Sequence, residues 1–231
     1  MTGMIDLHTH TLLSDGELLP SELVRRAEVK GYSAIALTDH VDASNIDFIV
    51  PRLVKVCKEL NKYWKIIAIP GVEITHVPIQ MIRPLVKYAR KNGSRIVVVH
   101  GETISEPVMK GTNRAAIEAG CDILAHPGNI AEEDARSAKK NGVYLELTTR
   151  KSHAAANRSV CMRALQCGAK MVLNNDAHSD SDLFSESDAR RFLADLSLHH
   201  GQAEDVLNNS KLIVEGVVKA GKVRNKKVKT P

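Results

Sequence analysis

The segment Ile5-Asp6-Leu7-His8-Thr9-His10, followed closely by Ser14-Asp15-Gly16, gathers two imidazoles and a carboxylate in a short stretch of chain. Along a strand side chains alternate, so Asp6, His8 and His10 project to one face and Ile5 and Leu7 to the other. Two neutral imidazoles on one side can close on one metal ion. Ser14-Asp15-Gly16 predicts a turn that returns Asp15 toward the same spot, with Gly16 suited to a positive φ. Later apolar runs end in the same residue types. His40 follows Leu37-Thr38-Asp39, Glu73 follows Pro70-Gly71-Val72, His100 caps Ile96-Val97-Val98-Val99, His126 caps Ile123-Leu124-Ala125, and Asp176 and His178 follow Asn174-Asn175. A lone histidine after an apolar strand is ordinarily a hydrogen-bonded structural residue. Six of them placed this way with Asp15, Glu73 and Asp176 would be costly to bury together without cations.

The elements that must position these groups alternate along the chain. Seven β-branched runs predict strands at Met4 to Leu7, Ala34 to Leu37, Ile66 to Ile69, Arg95 to Val99, Asp122 to Ala125, Val143 to Leu147 and Lys170 to Leu173. Between them Pro20 to Lys30, Asp47 to Tyr63, Gln80 to Asn92, Gly111 to Ala119, Glu132 to Asn141 and Arg158 to Cys167 predict helices, several closed by a glycine. Successive β-plus-α units imply an α/β fold with a parallel sheet, open or closed. In an open sheet the six ligand-bearing strand ends would spread along an edge, whereas in a barrel they converge on one mouth. The placement therefore predicts a closed barrel of these seven strands, TIM-barrel-like.

With 231 residues the chain can build one sizeable core. No membrane-spanning run and no leader-like N-terminus is read, so the expected compartment is the cytoplasm. Cys57, Cys121, Cys161 and Cys167 form no CxxC pair and fall in apolar or helical patterns, which predicts reduced, buried thiols rather than a cysteine zinc site. The net charge of +5 is local: residues 211 to 231 hold seven Lys or Arg and one Glu, leaving −1 for residues 1 to 210. Residues 1 to 221 are read as the domain and 222 to 231 as a basic C-terminal tail. A near-neutral body and an aromatic content of 3% leave little for a base-stacking platform, so nucleic acid is not the favoured partner.

His-Thr-His with Ser-Asp-Gly, then Thr-Asp-His, Gly-Val-Glu, a strand-capping His100, Ala-His-Pro and Asp-Ala-His make the chain resemble the PHP-domain (polymerase and histidinol phosphatase) metallophosphoesterases from His8 to His178. The resemblance implies a distorted seven-stranded (βα) barrel with a trinuclear metal centre. His8, His10, Glu73 and Asp176 would hold a first metal, Glu73 with His100 and His126 a second, and Asp15, His40 and His178 a third. Some relatives have His where this chain has Asp15. Such a cluster implies a metal-bound hydroxide attacking a phosphate ester, with Glu73 and Asp176 as the catalytic carboxylates and Glu73 as the bridge. Nitrogen and carboxylate donors without thiolates admit two or three Zn, Mn or Fe ions. Asp6, Asp39 and Glu102 stand beside ligands as acceptors for imidazole N–H groups, or as ion-pair and capping residues.

The strand end Glu146-Leu147-Thr148-Thr149 lacks a ligand motif and instead leads into Arg150-Lys151-Ser152-His153. A basic pair there binds phosphate in histidinol phosphatases, so Arg150 and Lys151, with His153, are the expected substrate-binding residues. The reading implied is a phosphatase of a small phosphorylated metabolite, histidinol phosphate being one candidate. A nuclease or nucleotide phosphatase is the alternative, and a non-catalytic scaffold is argued against by the complete ligand set. The amidohydrolase barrel also begins with His-x-His, but this chain offers no strand-end lysine and no eighth strand.

Overall fold

The computed structural model describes residues 3–221, so the predicted tail at 222–231 lies outside the described residues. Strands β1 (Met4–Asp6), β2 (Tyr32–Leu37), β3 (His40–Val41), β4 (Ile67–Ile74), β5 (Ile96–His100), β6 (Ile123–Ala125), β7 (Tyr144–Thr148) and β8 (Met171–Asn174) are joined by α1 (Pro20–Val29), α2 (Ile46–Tyr63), α3 (Ile79–Lys91), α4 (Thr112–Ala119), α5 (Glu132–Asn141) and α6 (Asn157–Cys167). Two further helices, α7 (Glu186–Asp195) and α8 (His200–Lys219), follow β8. All pairings are parallel in the order β1-β2-β4-β5-β6-β7-β8, with β3 pairing with β4 off that path. The ring is nearly closed: Thr9 bridges Ala177 just beyond the ends of β1 and β8. The expected seven-stranded barrel is therefore present.

Strand sequence explains the layering. In β2, Ala34 and Ala36 join Ile67, Ile69, Ile96, Val98, Ile123 and Val172 in an inner cluster. Ile35 and Leu37 join an outer cluster with Leu23, Leu53, Ile82 and Ile117 from the helices. Both strand faces are thus buried, which is why these runs are continuously apolar. Pro20 opens α1, where a missing N–H costs nothing, and Gly142 and Gly168 close α5 and α6 at φ of 70° and 68°.

Helix α8 performs a task that the alternating pattern did not foresee. Its Val214 and Val217 complete the inner cluster, and the Asn209 side-chain amide donates to the Met171 carbonyl at the start of β8. The helix floors the barrel at the end away from the ligand-bearing strand ends. Among the described residues no helix is long and apolar enough to cross a membrane, and the four cysteines are free and buried.

Candidate metal centre

Beyond Asp6 the chain leaves β1 and runs between β2 and β8, keeping its alternation. Leu7 N–H donates to the Asn174 side chain (3.0 Å), Thr9 N–H to Thr38 Oγ1 (2.9 Å) and His10 N–H to the Ala177 carbonyl (2.8 Å). His8 and His10 consequently face the barrel mouth, both fully buried. The following loop is folded over by Asp39, which accepts from Thr11 N–H and the hydroxyls of Thr11 and Ser14. Gly16 is required here for a reason other than the expected positive φ. A Cβ on it would lie 2.4 Å from the His10 carbonyl oxygen, so the residue is there for close approach.

Three carboxylates organise the imidazoles. Glu73, inside β4 opposite His40, lies 3.3 Å from His8 Nε2, 3.6 Å from His10 Nε2, 2.7 Å from His40 Nδ1 and 3.6 Å from His126 Nε2. Asp176 has as many imidazole neighbours, at 3.7 Å (His8), 3.1 Å (His10), 3.8 Å (His126) and 3.6 Å (His178). It is therefore placed as centrally among the imidazoles as Glu73, the carboxylate the sequence reading expected as the bridge. Asp15 reaches His10, His40 and His178 at 3.7, 3.5 and 3.0 Å. His100 joins through its ring, 4.4 Å from that of His126. All nine residues expected as ligands thus meet at one mouth.

The donor set tests well for cations. Among the described residues, His8 Nε2, both ring nitrogens of His10, His126 Nδ1 and Glu73 Oε1 are buried without a hydrogen-bond partner. Orphaned polar atoms of this kind are expensive unless something binds them. In three of the imidazoles one ring nitrogen is anchored: His8 Nδ1 bonds Glu146 (2.9 Å), His40 Nδ1 bonds Thr75 Oγ1 (2.6 Å) and His100 Nδ1 donates to the Gly101 carbonyl (3.2 Å). Anchoring one nitrogen directs the other at the cluster, the usual arrangement around metal-ligating histidines. His126 and Asp176 adopt φ of 27° and 52°, strained for non-glycine residues and concentrated at the site.

Electrostatics follow from this crowding. Burial and the neighbouring His40 and His8 hold His10 well below the usual histidine range, and burial with His100 does the same to His126. Burial opposes charge on His40, yet Glu73 and Asp15 outweigh it and raise the group to about 10. Burial pushes the Asp176 carboxyl up, while His8 and His40 hold Glu73 well below the carboxylate range despite its burial.

The remaining expected residues divide. Arg150, after β7, lines the mouth and donates to His178 Nδ1 (2.8 Å) and the Asp176 carbonyl (3.3 Å). Lys151 is exposed and does not line that cavity of about 250 Å³. His153 lines it but is buried, against His100 and His126. The three acids expected beside the ligands do not touch imidazole N–H groups. Asp6 accepts from the His8 and Asn175 amides, Asp39 holds the Thr11 loop, and Glu102 caps α4 by accepting from Gly111 and Asn113.

Two carboxylates were missed. Glu146, fully buried in β7, accepts from Asn174 (2.7 Å) and the His126 amide (3.1 Å) as well as bonding His8. Its signal was a charged residue at an inward position between Leu145 and Leu147. Glu106 lies 2.7 Å from His76, 3.2 Å from His100 and 3.4 Å from His153. Nothing in its loop sequence announces that.

Comparison with known proteins places this geometry. The family model of the PHP domain matches residues 6–102. An uncharacterized protein of Methanocaldococcus jannaschii is 44% identical over 204 residues, covering 87% of this chain and 94% of that protein. A chain of the cryo-EM structure of archaeal Ribonuclease P with mature tRNA is similar with a TM-score of 0.69 at 20% identity, covering 92% of this chain and 90% of that one. Histidinol phosphate phosphatase from Lactococcus lactis, solved with zinc, L-histidinol and phosphate, gives a TM-score of 0.60 at 16% identity, over 85% and 95% of the two chains. At such identities these two structures speak for the fold.

Proposed function

The chain belongs to the PHP-domain family, and from that premise we propose that its barrel mouth hydrolyses a phosphate monoester of a small metabolite, histidinol phosphate being one candidate, at two or three divalent transition-metal ions. The observation that carries the reading is the convergence of buried, unpartnered donor atoms from His8, His10, Glu73 and His126. His8, His10, Glu73 and Asp176 would hold one ion, Glu73, His100 and His126 a second, and Asp15, His40 and His178 a third. Zinc, manganese and iron all suit these donors. When bound, such cations polarise the phosphoryl group and bring water to a reactive protonation state near neutral pH.

The protein's own groups do the rest. Arg150, whose Nη1 already donates at the edge of the mouth, can fork onto phosphate oxygens. Glu146 keeps the His8 ring oriented and supports the strained His126 backbone, while Asp39 holds the loop bearing Asp15 over the cavity. The Lactococcus lactis structure, with its zinc, L-histidinol and phosphate, supports this substrate class. A nuclease or nucleotide phosphatase is the second reading, favoured by the likeness to a Ribonuclease P chain and by the basic tail.

The test is a panel of phosphate mono- and diesters, histidinol phosphate included, assayed with metal-reconstituted protein. Hydrolysis of small monoesters that chelation abolishes is the expected result. Turnover of oligonucleotides alone moves the second reading to first place, and a metal-loaded protein inert toward every ester overturns both.

A further inference from the structure

We propose that His153 is a tenth cation ligand, completing with His100 and His126 a three-histidine site that Glu106 borders. The inference rests on the metallophosphoesterase reading and changes the part assigned to His153, which the sequence reading made a substrate contact.

Geometry carries it. His153 is 5% exposed, with its ring stacked on His126 at 4.3 Å and 24° and set edge-on to His100 at 5.8 Å. One ligand atom from each of the three histidines lies within 4.8 Å of the others. The decisive feature is the anchoring of the ring. His153 Nδ1 lies 2.9 Å from Thr103 Oγ1 and 2.8 Å from Ser105 Oγ, which leaves Nε2 pointing inward, 3.4 Å from Glu106 Oε1. His8 and His100 show the same pattern of an anchored Nδ1 and an inward Nε2. His126 adds a buried Nδ1 without any partner beside the stacked ring.

Glu106 supplies the carboxylate. Its Oε2 is 3.2 Å from His100 Nε2, and His76, held at φ of 51°, bonds it at 2.7 Å. Three imidazoles with a nearby carboxylate form a nitrogen-rich set suited to zinc, and equally open to manganese or iron. The turn after β7 thus contributes at both ends of the mouth. The His153 amide donates to the Arg150 carbonyl (3.0 Å), while the Arg150 side chain faces Asp176 and His178 and that of His153 faces His100 and His126. The strand end that lacked a ligand motif acquires a ligand through this turn.

The experiment is a zinc titration of chelator-stripped protein against a chromophoric competitor, for wild type, His153→Ala and the double variant Thr103→Val with Ser105→Ala. Loss or at least about tenfold weakening of one class of site in His153→Ala is expected, with a smaller weakening of the same class when the anchoring hydroxyls are removed. Wild-type cation binding with unchanged affinities in His153→Ala overturns the inference alone. A wild type that binds no cation overturns the parent reading with it. Should His153→Ala fail to fold, a zinc-soaked wild-type crystal decides: an anomalous peak about 2.1 Å from His153 Nε2 supports the assignment, and a peak beside His100 and His126 beyond about 3 Å from it overturns the assignment.

Discussion

Glu73 and Asp176 each meet four imidazoles, so neither can be removed as an isolated ligand. Glu73→Ala is expected to cost the protein more than one cation, read as metal per chain by elemental analysis; full occupancy in the variant would refute a bridging role. Arg150→Ala should act differently. The guanidinium touches His178 and Asp176 by hydrogen bonds but owns no place in the donor set, so KM for a phosphomonoester should rise on the order of tenfold with metal content retained. Unchanged kinetics would return Arg150 to a purely structural part. Proton competition adds a third expectation. Burial opposes charge on His8 and His40, but Glu146 and Glu73 raise the first above the histidine range and Glu73 with Asp15 raise the second to about 10. A cation must displace those protons, so zinc affinity should tighten as pH rises from about 6 toward about 9, with proton release measurable by calorimetry in buffers of different ionisation enthalpy. The ligands at strand ends were legible because their order along the chain is local information. Glu146 and Glu106 were not: Glu146 meets His8 and His126 from 138 and 20 residues away and Glu106 meets His76 from 30, contacts that the closed ring creates.

At the scale of elements, seven strands and six helices were readable from apolar runs and glycine ends, within a residue or two at every boundary but the end of β4, while the two-residue β3 was not read. The third strand was read as ending at Ile69, whereas β4 continues through Pro70 and Gly71 to Ile74 and carries Glu73 within the ladder. Pro70 lacks an N–H and normally argues against a strand interior, yet its carbonyl still accepts from Arg95 at 2.7 Å. Helices α7 and α8 went unread because no strand follows them to extend the alternation. The buried positions Val206, Ser210, Val214 and Val217 do keep helical spacing. Val214 is fully buried against inward strand residues, so Val214→Asp would place an uncompensated carboxylate in the barrel floor. A loss of about 3–5 kcal/mol is expected, on the order of 10 °C in Tm, against almost none for Leu212→Asp on the exposed side of α8. Equal melting curves by calorimetry would show that α8 does not floor the core.

For the whole molecule, the two ends of the barrel have different work. The mouth concentrates ionisable groups, and the floor is closed by α8, whose Val214 and Val217 belong to the inner cluster. Lys222, Arg224, Lys226, Lys227 and Lys229 account for most of the excess positive charge, since residues 1 to 210 sum to −1. This separates the two substrate readings by experiment. Deleting 222–231 should leave metal content and hydrolysis of small phosphomonoesters intact, because nothing from Lys222 onward resembles a ligand motif. If those cations recruit nucleic acid, full-length protein should bind oligonucleotides with an affinity that falls steeply with salt, and the deletion should flatten the slope by about one phosphate contact per lost cation engaged. The expected outcome is retained monoesterase activity with oligonucleotide binding that is weak in both proteins. A truncated protein that keeps its metals but loses every small-ester activity would contradict the placement of the site, whereas selective loss on oligonucleotides would make the nuclease reading the better one.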